Sequence, residues 1–255
     1  MISTINDFDK PFLLRVARGE IPGMKTYVIA GRKDSIDNTA LDDLTQIPGT
    51  TVVPSPGGVQ LEIISSAAAD DGAPVGTGAQ TVNIHYLDTA GAEQNETIIM
   101  NGTTLVTTVA TDIDHVQWIN TNAVGSGGVA AGNISLQGLG GGAVFEYIAA
   151  GGNQSLSARY VVPTGKTGYL FGWRSSAIVK QVDFRLRATV DRFDNSLLPG
   201  VFLFQDPAVV IDAPTGFIPL PWSKMPAGAI IKISGLSQAA GGNGGGSFQI
   251  LLVDD

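Results

Sequence analysis

From Val59 to Gln137 apolar and polar residues alternate with a period of two, the pattern of strands that bury one face. Val59, Leu61 and Ile63 share a face, and Val82, Ile84 and Tyr86 repeat the arrangement. Glu96 to Met100 and Thr104 to Val109 are further runs, and the Asn101-Gly102 between them predicts a hairpin turn because both residues accept positive φ. Ile113, Val116, Trp118 and Ile119 mark another strand, and Asn133 to Gln137 a short last one. Ala67 to Ala79 and Asn122 to Gly132, small and rich in glycine, read as exposed loops. Short strands at this spacing predict an antiparallel sandwich.

A glycine cluster, Gly138 to Gly142, predicts a module boundary, since it carries almost no side chains to pack. A second strand series follows. Ser155 to Val162 turns through Pro163-Thr-Gly-Lys166 into Gly168 to Trp173. In Val182 to Asp191, Val182, Phe184, Leu186, Ala188 and Val190 point one way, while Asp183, Arg185, Arg187, Thr189 and Asp191 point the other. Prolines at 199, 207, 214, 219 and 221 restrict the next stretch to short or edge strands. Ala229 to Leu236 and Ser247 to Val253 form the closing pair, joined by a glycine-rich connection, Ser237 to Gly246, expected to be a mobile tip.

The first fifty residues are different. Asp9 is placed to cap a short helix with Phe12, Leu13 and Val16 on one side and Gly19 as its stop. Ile21-Pro-Gly23 breaks the chain, Tyr27 to Ala30 is a short strand, and Asp37 to Leu44 suits one or two helical turns. The cluster Phe8, Phe12, Leu13 and Val16 lies in a segment too short to hold its own core, so either its own body or another subunit must cover it. The expected architecture is therefore all-β. It comprises two antiparallel β-sandwich, jelly-roll-like modules at 51–140 and 141–255, preceded by an extended N-terminal docking arm at 1–50. Trypsin has no site between Lys33 and Arg159, so a mobile arm predicts a digestion product beginning near Asp34.

Charge divides the chain along the same lines. Residues 1–50 carry six basic and seven acidic side chains, 51–150 none and nine, and 151–255 nine and seven, so the net charge of −8 lies in the middle. Charged residues make up 15% of the chain, against about one in four on average, which implies large covered surfaces. There is no cysteine, which excludes disulfides and Cys-ligated metal sites. No stretch is apolar enough for a membrane helix and no secretory leader opens the chain, so synthesis in a cytoplasm is expected, without membrane association.

Candidate chemistry is thin. Thr164-Gly-Lys-Thr167 ends like a phosphate-binding loop, but Tyr160 stands where the first glycine belongs and Pro163 removes an amide, so it reads as a plain turn. His85 and His115 lie on separate strands without metal-ligand spacing. Asp70-Asp71, or Asp112 with Asp114, are eligible as a glycosidase carboxylate pair or a calcium site, but read first as solvated loop acids. Arg174, Lys180, Arg185, Arg187 and Arg192 make the C-terminal part mildly basic, too weakly for a nucleic-acid reader. They suit a solvated sheet face, or one that meets the acidic middle of a neighbouring copy. Trp118, Trp173 and Trp222 suit core or interface positions, or stacking on sugar rings.

The opening Asp7-Phe8, Val16-Ala-Arg-Gly19, Ile21-Pro-Gly23 and Gly31-Arg32 resembles that of accessory virion structural proteins of tailed, often marine, bacteriophages. Leu61-Glu-Ile-Ile-Ser-Ser66, Asn101-Gly-Thr-Thr104, Val162-Pro-Thr-Gly-Lys-Thr167 and Ile250-Leu-Leu-Val-Asp254 extend the resemblance over nearly the whole chain. The resemblance implies a non-enzymatic virion component without cofactor, made in the host cytoplasm and present in repeated copies, with a trimer favoured. Head decoration, head fibre, neck and tail attachment all remain open. Its partners would be capsid or portal-proximal proteins, with host glycan as an alternative, and no nucleic acid or membrane. The residues expected to dock are Phe8, Phe12, Leu13, Val16, Arg18, Ile21 and Pro22.

Overall fold

The computed structural model describes residues 11–210, 214 and 218–255. In chain order, α1 (Phe12–Ala17) leads to β1 (Met24–Ile36) and the two-residue β2 (Asp42–Asp43). Then come β3 (Leu61–Ser65), β4 (Ala79–Asp88), β5 (Glu93–Ile99), β6 (Val106–Thr107), β7 (Ile113–Val124), β8 (Ile134–Gly138) and β9 (Val144–Ile148). The chain ends with β10 (Arg159–Val161), β11 (Lys166–Val179), β12 (Val182–Ala188), β13 (Leu203–Val210), β14 (Ile218–Met225), β15 (Ile230–Ser237) and β16 (Gly242–Asp254).

These strands make two sandwiches, one inserted into the other. One sheet has the order β1-β16-β11-β14 and the sheet facing it β10-β15-β12-β13, with β2 continuing the β10 edge of β15. With β2 and β10 counted as one position, the eight strands pair first-eighth-third-sixth and second-seventh-fourth-fifth, all antiparallel. That is the double Greek key of a jelly roll. Tyr160, Trp173, Phe184 and Phe248 fill the space between its sheets and are fully buried, so the long alternating strands are held by their shared apolar face. Between β2 and β10, the two pieces of its second strand, lies a complete second sandwich, β6-β3-β8-β9 on β5-β4-β7, packed around Leu61, Ile63, Ile84 and Met100.

Several expectations change. The segment read as an arm supplies β1, which pairs with β16 from Met24↔Val253 to Ile36↔Gly242 and so belongs to the jelly roll. Asp37 to Leu44 is not helical: the Asp37 carboxylate accepts from the amides of Thr39 and Ala40 and turns the chain into β2. Gly138 to Gly142 is no boundary but the turn of a hairpin, because β9 pairs with β8 and buries Phe145 and Ile148 in the inserted core. The chain leaves the inserted sandwich only after Ile148. Asn101-Gly102 does not close a hairpin either, since β5 pairs with β4 and β6 with β3 in the facing sheet.

Gly242 to Gly246 is central strand, not mobile tip; an added Cβ on Gly244 would stand 2.5 Å from the Phe184 ring. Only residues 238–241 form the tip. The prolines act as expected, for β13 and β14 are both sheet edges. Lys25 and Lys33 lie in the β1 ladder, so native tryptic digestion is expected to stop after Arg18. N-terminal sequencing checks this, with a product starting at Gly19 rather than Asp34.

Candidate interaction surfaces

The expected docking residues are split by the fold. α1 packs on β1 and buries Val16, which is 3% exposed. Phe12 and Leu14 stay about half exposed, Leu13 and Ile21 are half-buried, and Arg18 and Pro22 are exposed. Arg18 pairs with Glu20 at 2.8 Å. Gly19, at φ +69°, stops the helix, its amide donating to Val16. Phe8 and Asp9 lie outside the described residues. One residue of the apolar cluster thus anchors the segment on its own body, and Phe12 and Leu14 leave apolar surface exposed on different sides of the helix.

The seam between the sandwiches is built from polar side chains that imitate backbone. Gln117 of β7 donates from Nε2 to the Val161 carbonyl at 2.6 Å and accepts from the Val161 amide at 3.0 Å, as a paired strand residue would. Arg159 of β10 is buried and donates to the carbonyls of Val116 (2.6 Å) and Pro54 (3.3 Å). Glu146 of β9 accepts from Ser157, whose hydroxyl also bonds Thr45 at 2.8 Å. Burial pushes the Glu146 carboxyl up to about 7 against the pull of Ser157 and Arg159. The outer face of β12 and β15 is not the solvated face expected for Arg187. Asp43, itself buried, accepts from Lys232 at 3.0 Å, Ser234 at 2.7 Å and Arg187 at 3.3 Å. Burial lowers the pKa values of Lys232 and Arg187, and Asp43 offsets this in part.

No local pattern in the sequence brings this set together. Its one legible sign was a lysine inside the isoleucine run Ile230-Ile-Lys-Ile233, where a charge needs a partner.

The remaining candidates fall into structural roles. Asp70 is fully buried and accepts four hydrogen bonds, from Ser65, Ala79, Ala131 and Gly132, which saturates its carboxylate. Asp71 caps the Ala73 amide. His115 bonds Asp114 at 2.7 Å, and burial lowers its pKa. The Thr164–Thr167 turn docks on the inserted sandwich through Thr164 N–H to Gly91 (2.8 Å), and Lys166 pairs with Asp254 at 2.6 Å. Arg185 is held by Asp183 and lies over Phe204, Arg192 lies over Phe193, and Arg174 bonds Ser247. Trp173 is core and donates to Asp206. Trp222 is exposed and stacks on Phe171, while Trp118 is half-buried between Tyr27 and His85.

Among the described residues no group of three or more His, Cys, Asp or Glu side chains is placed to hold a metal ion, and no helix is long and apolar enough to cross a membrane.

No family model and no curated protein matches the chain. Among solved structures it is similar to a chain from the structure of infectious bursal disease virus, Gt strain, with 10% identity, a TM-score of 0.19, and coverage of 96% of this chain and 78% of that one. A chain of the Gx strain matches at 11% identity, a TM-score of 0.19, and coverage of 96% and 76%. A chain of T=1 particles derived from infectious bursal virus matches at 8% identity, a TM-score of 0.17, and coverage of 91% and 73%. Overlaps this low carry no argument, and the fold assignment rests on strand pairing alone.

Proposed function

We propose that the chain is a non-enzymatic virion structural protein of a tailed bacteriophage. In this reading it is a capsid-associated decoration or head-fibre protein, oligomeric and present in many copies. The observation that carries the reading is the partition of charge between the two sandwiches. Residues 51–150, nearly all within the inserted sandwich and its entry, hold nine acids and no base, and the rest of the chain holds 15 bases and 14 acids. A near-neutral jelly roll can pack closely against neighbours, whereas like-charged modules facing solvent keep a crowded particle surface soluble. The resemblance to accessory virion proteins and the use of jelly rolls in viral capsids point the same way. Phe12, Leu13, Arg18, Ile21 and Pro22 would contact the shell, with Phe8 ahead of them, and Val16 would hold the segment on β1. A copy that bridges shell subunits stabilises the assembled state because it binds that state alone.

Gold-labelled antibody against residues 59–148 on intact particles tests the reading, followed by rebinding of the full chain or of a chain lacking residues 1–18. Regular label over the head, with rebinding lost on truncation, is the expected result. Label confined to neck or tail would replace decoration by attachment there, and unlabelled particles would overturn the exposed-virion reading.

A further inference from the structure

The outer face of the three-stranded sheet of the inserted sandwich, which no part of the attachment reading uses, has an unusual chemistry for so acidic a module. Strand register places Asn95, His85 and Trp118 in one row across β5, β4 and β7, and Thr97, Asn83 and Asn120 in the next. None of these six is charged in its ordinary state at pH 7 except His85 in part, and burial lowers its pKa and keeps it neutral. The rows are already oriented: Thr97 donates to Asn83 Oδ1 at 2.6 Å, and His85 Nε2 bonds Asn120 Oδ1 at 3.2 Å. The His85 ring stacks on Trp118 at 4.6 Å, and Tyr27 of the jelly roll lies 5.8 Å from the same indole.

Where this face meets the jelly roll it ends in a cleft of about 360 Å³, lined by Trp118, His85, Tyr27, Gln94 and Asn95. A second cleft of about 160 Å³ lies along Tyr27 and Trp118, with Gln154 and Ser155 on its wall. The larger one is at the small end of the range for ligand sites, about 300–1,000 Å³.

We propose that this face and its cleft bind a neutral oligosaccharide. A sugar presents an apolar C–H surface and a set of hydroxyls, each a donor and an acceptor. Trp118 and Tyr27 answer the first, and planar carboxamides, which carry a donor and an acceptor side by side, answer the second. The charges at the rim, Lys25 and Glu93, are of opposite sign, and Glu93 stands 3.9 Å from Lys166. The inserted sandwich offers no lysine or arginine to an anionic sugar, which sets the class as neutral. The site extends over strands and not over the glycine-rich tips, so it is preformed and its binding costs little ordering.

The test is an array of neutral hexose and N-acetylhexosamine oligosaccharides of two to six units probed with the full chain, followed by calorimetry on the best ligand. Saturable binding is expected, weakened at least tenfold by Asn95→Ala and by Trp118→Ala and unchanged by Trp222→Ala. Trp118 also packs against the jelly-roll core, so Asn95, exposed on its strand, supplies the variant that leaves the fold intact. Absence of saturable binding to any neutral glycan would overturn the proposal, as would an affinity unaffected by Asn95→Ala. Binding confined to sulfated or carboxylated sugars and abolished by salt would overturn it as well. None of these results bears on attachment through α1, which the truncated chain reports separately.

Discussion

Replacing Glu146 with glutamine is expected to stabilise the protein above pH 7 and to change little at pH 4. The carboxyl is buried where the inserted sandwich returns to the jelly roll, and burial raises its pKa from 4.5 to about 7. Between those values the folded protein holds a proton that the unfolded chain releases. Proton linkage then makes stability fall as pH rises through the window, and the loss is complete above pH 7. At about 1.4 kcal/mol per pH unit the full effect is on the order of 3 kcal/mol. Glutamine has nearly the same shape, can accept from Ser157 and cannot ionise. Urea denaturation of both proteins from pH 4 to 8.5 should give stabilities that coincide at the acid end and separate toward pH 8. Curves that stay parallel would show that the site relaxes or admits water and that burial does not control the group.

A second large effect is expected at Asp70, where Asp70→Ala should cost about 4 kcal/mol and Asp70→Asn about 3 kcal/mol. Hydrogen bonds to a charged acceptor contribute roughly 1.5–3 kcal/mol each, but four that share one carboxylate do not add, because the loops relax and readmit water once it is gone, so the expected loss is that of about two of them. In the native protein Oδ1 takes the amides of Ala79 (2.6 Å) and Ala131 (2.8 Å), and Oδ2 takes Ser65 (2.5 Å) and Gly132 (2.8 Å). An asparagine must turn an NH₂ toward donors at one end. The carboxylate joins the loop before β4 to the loop after β7, and a Cβ on Gly78 would fall 2.1 Å from Oδ1, so no side chain larger than glycine fits beside it. Hydrogen exchange would locate the damage: amides of 61–148 should lose protection before those of β11 and β16. A change below about 1 kcal/mol in Asp70→Asn would show that a water or a shifted loop takes over the missing acceptors.

The contrast between Asp70 and Glu146 shows what patterning can and cannot reveal. Asp70 sits in a stretch of small residues that reads as solvated loop, and nothing local announces that four donors converge on it. Its partners come from positions 65, 79, 131 and 132, which only the packing of two loops brings together. Glu146, within Val144-Phe-Glu-Tyr-Ile148, does carry a sign, a carboxylate in an apolar run, but the glycines before it read as a module boundary and so hide that the run is a core strand. The docking cluster was legible as an apolar group that needs cover. That Val16 would turn inward and Phe12 outward depended on β1 lying under the helix.

By itself the sequence determined the class of the fold. Period-two alternation in Val82 to Tyr86 and Val182 to Val190 made strands with one buried face, the prolines made edges of β13 and β14, and the lack of lysine and arginine from Asp34 to Ala158 fixed where the negative charge lies. All of these are local properties, carried by side-chain direction and backbone restriction. Tertiary structure decided which strands are neighbours, and so which runs form one body. Residues 24–36 became the first strand of a jelly roll because β16, more than 200 positions later, supplied its hydrogen bonds. Four glycines that read as a loop, Gly242 and Gly244 to Gly246, lie within a central strand because neighbouring groups, among them the side chains of Ser237, Phe184 and Ile36, occupy the space beside them. Pairing between distant segments is settled by the fit of whole surfaces, and no window of sequence contains both partners.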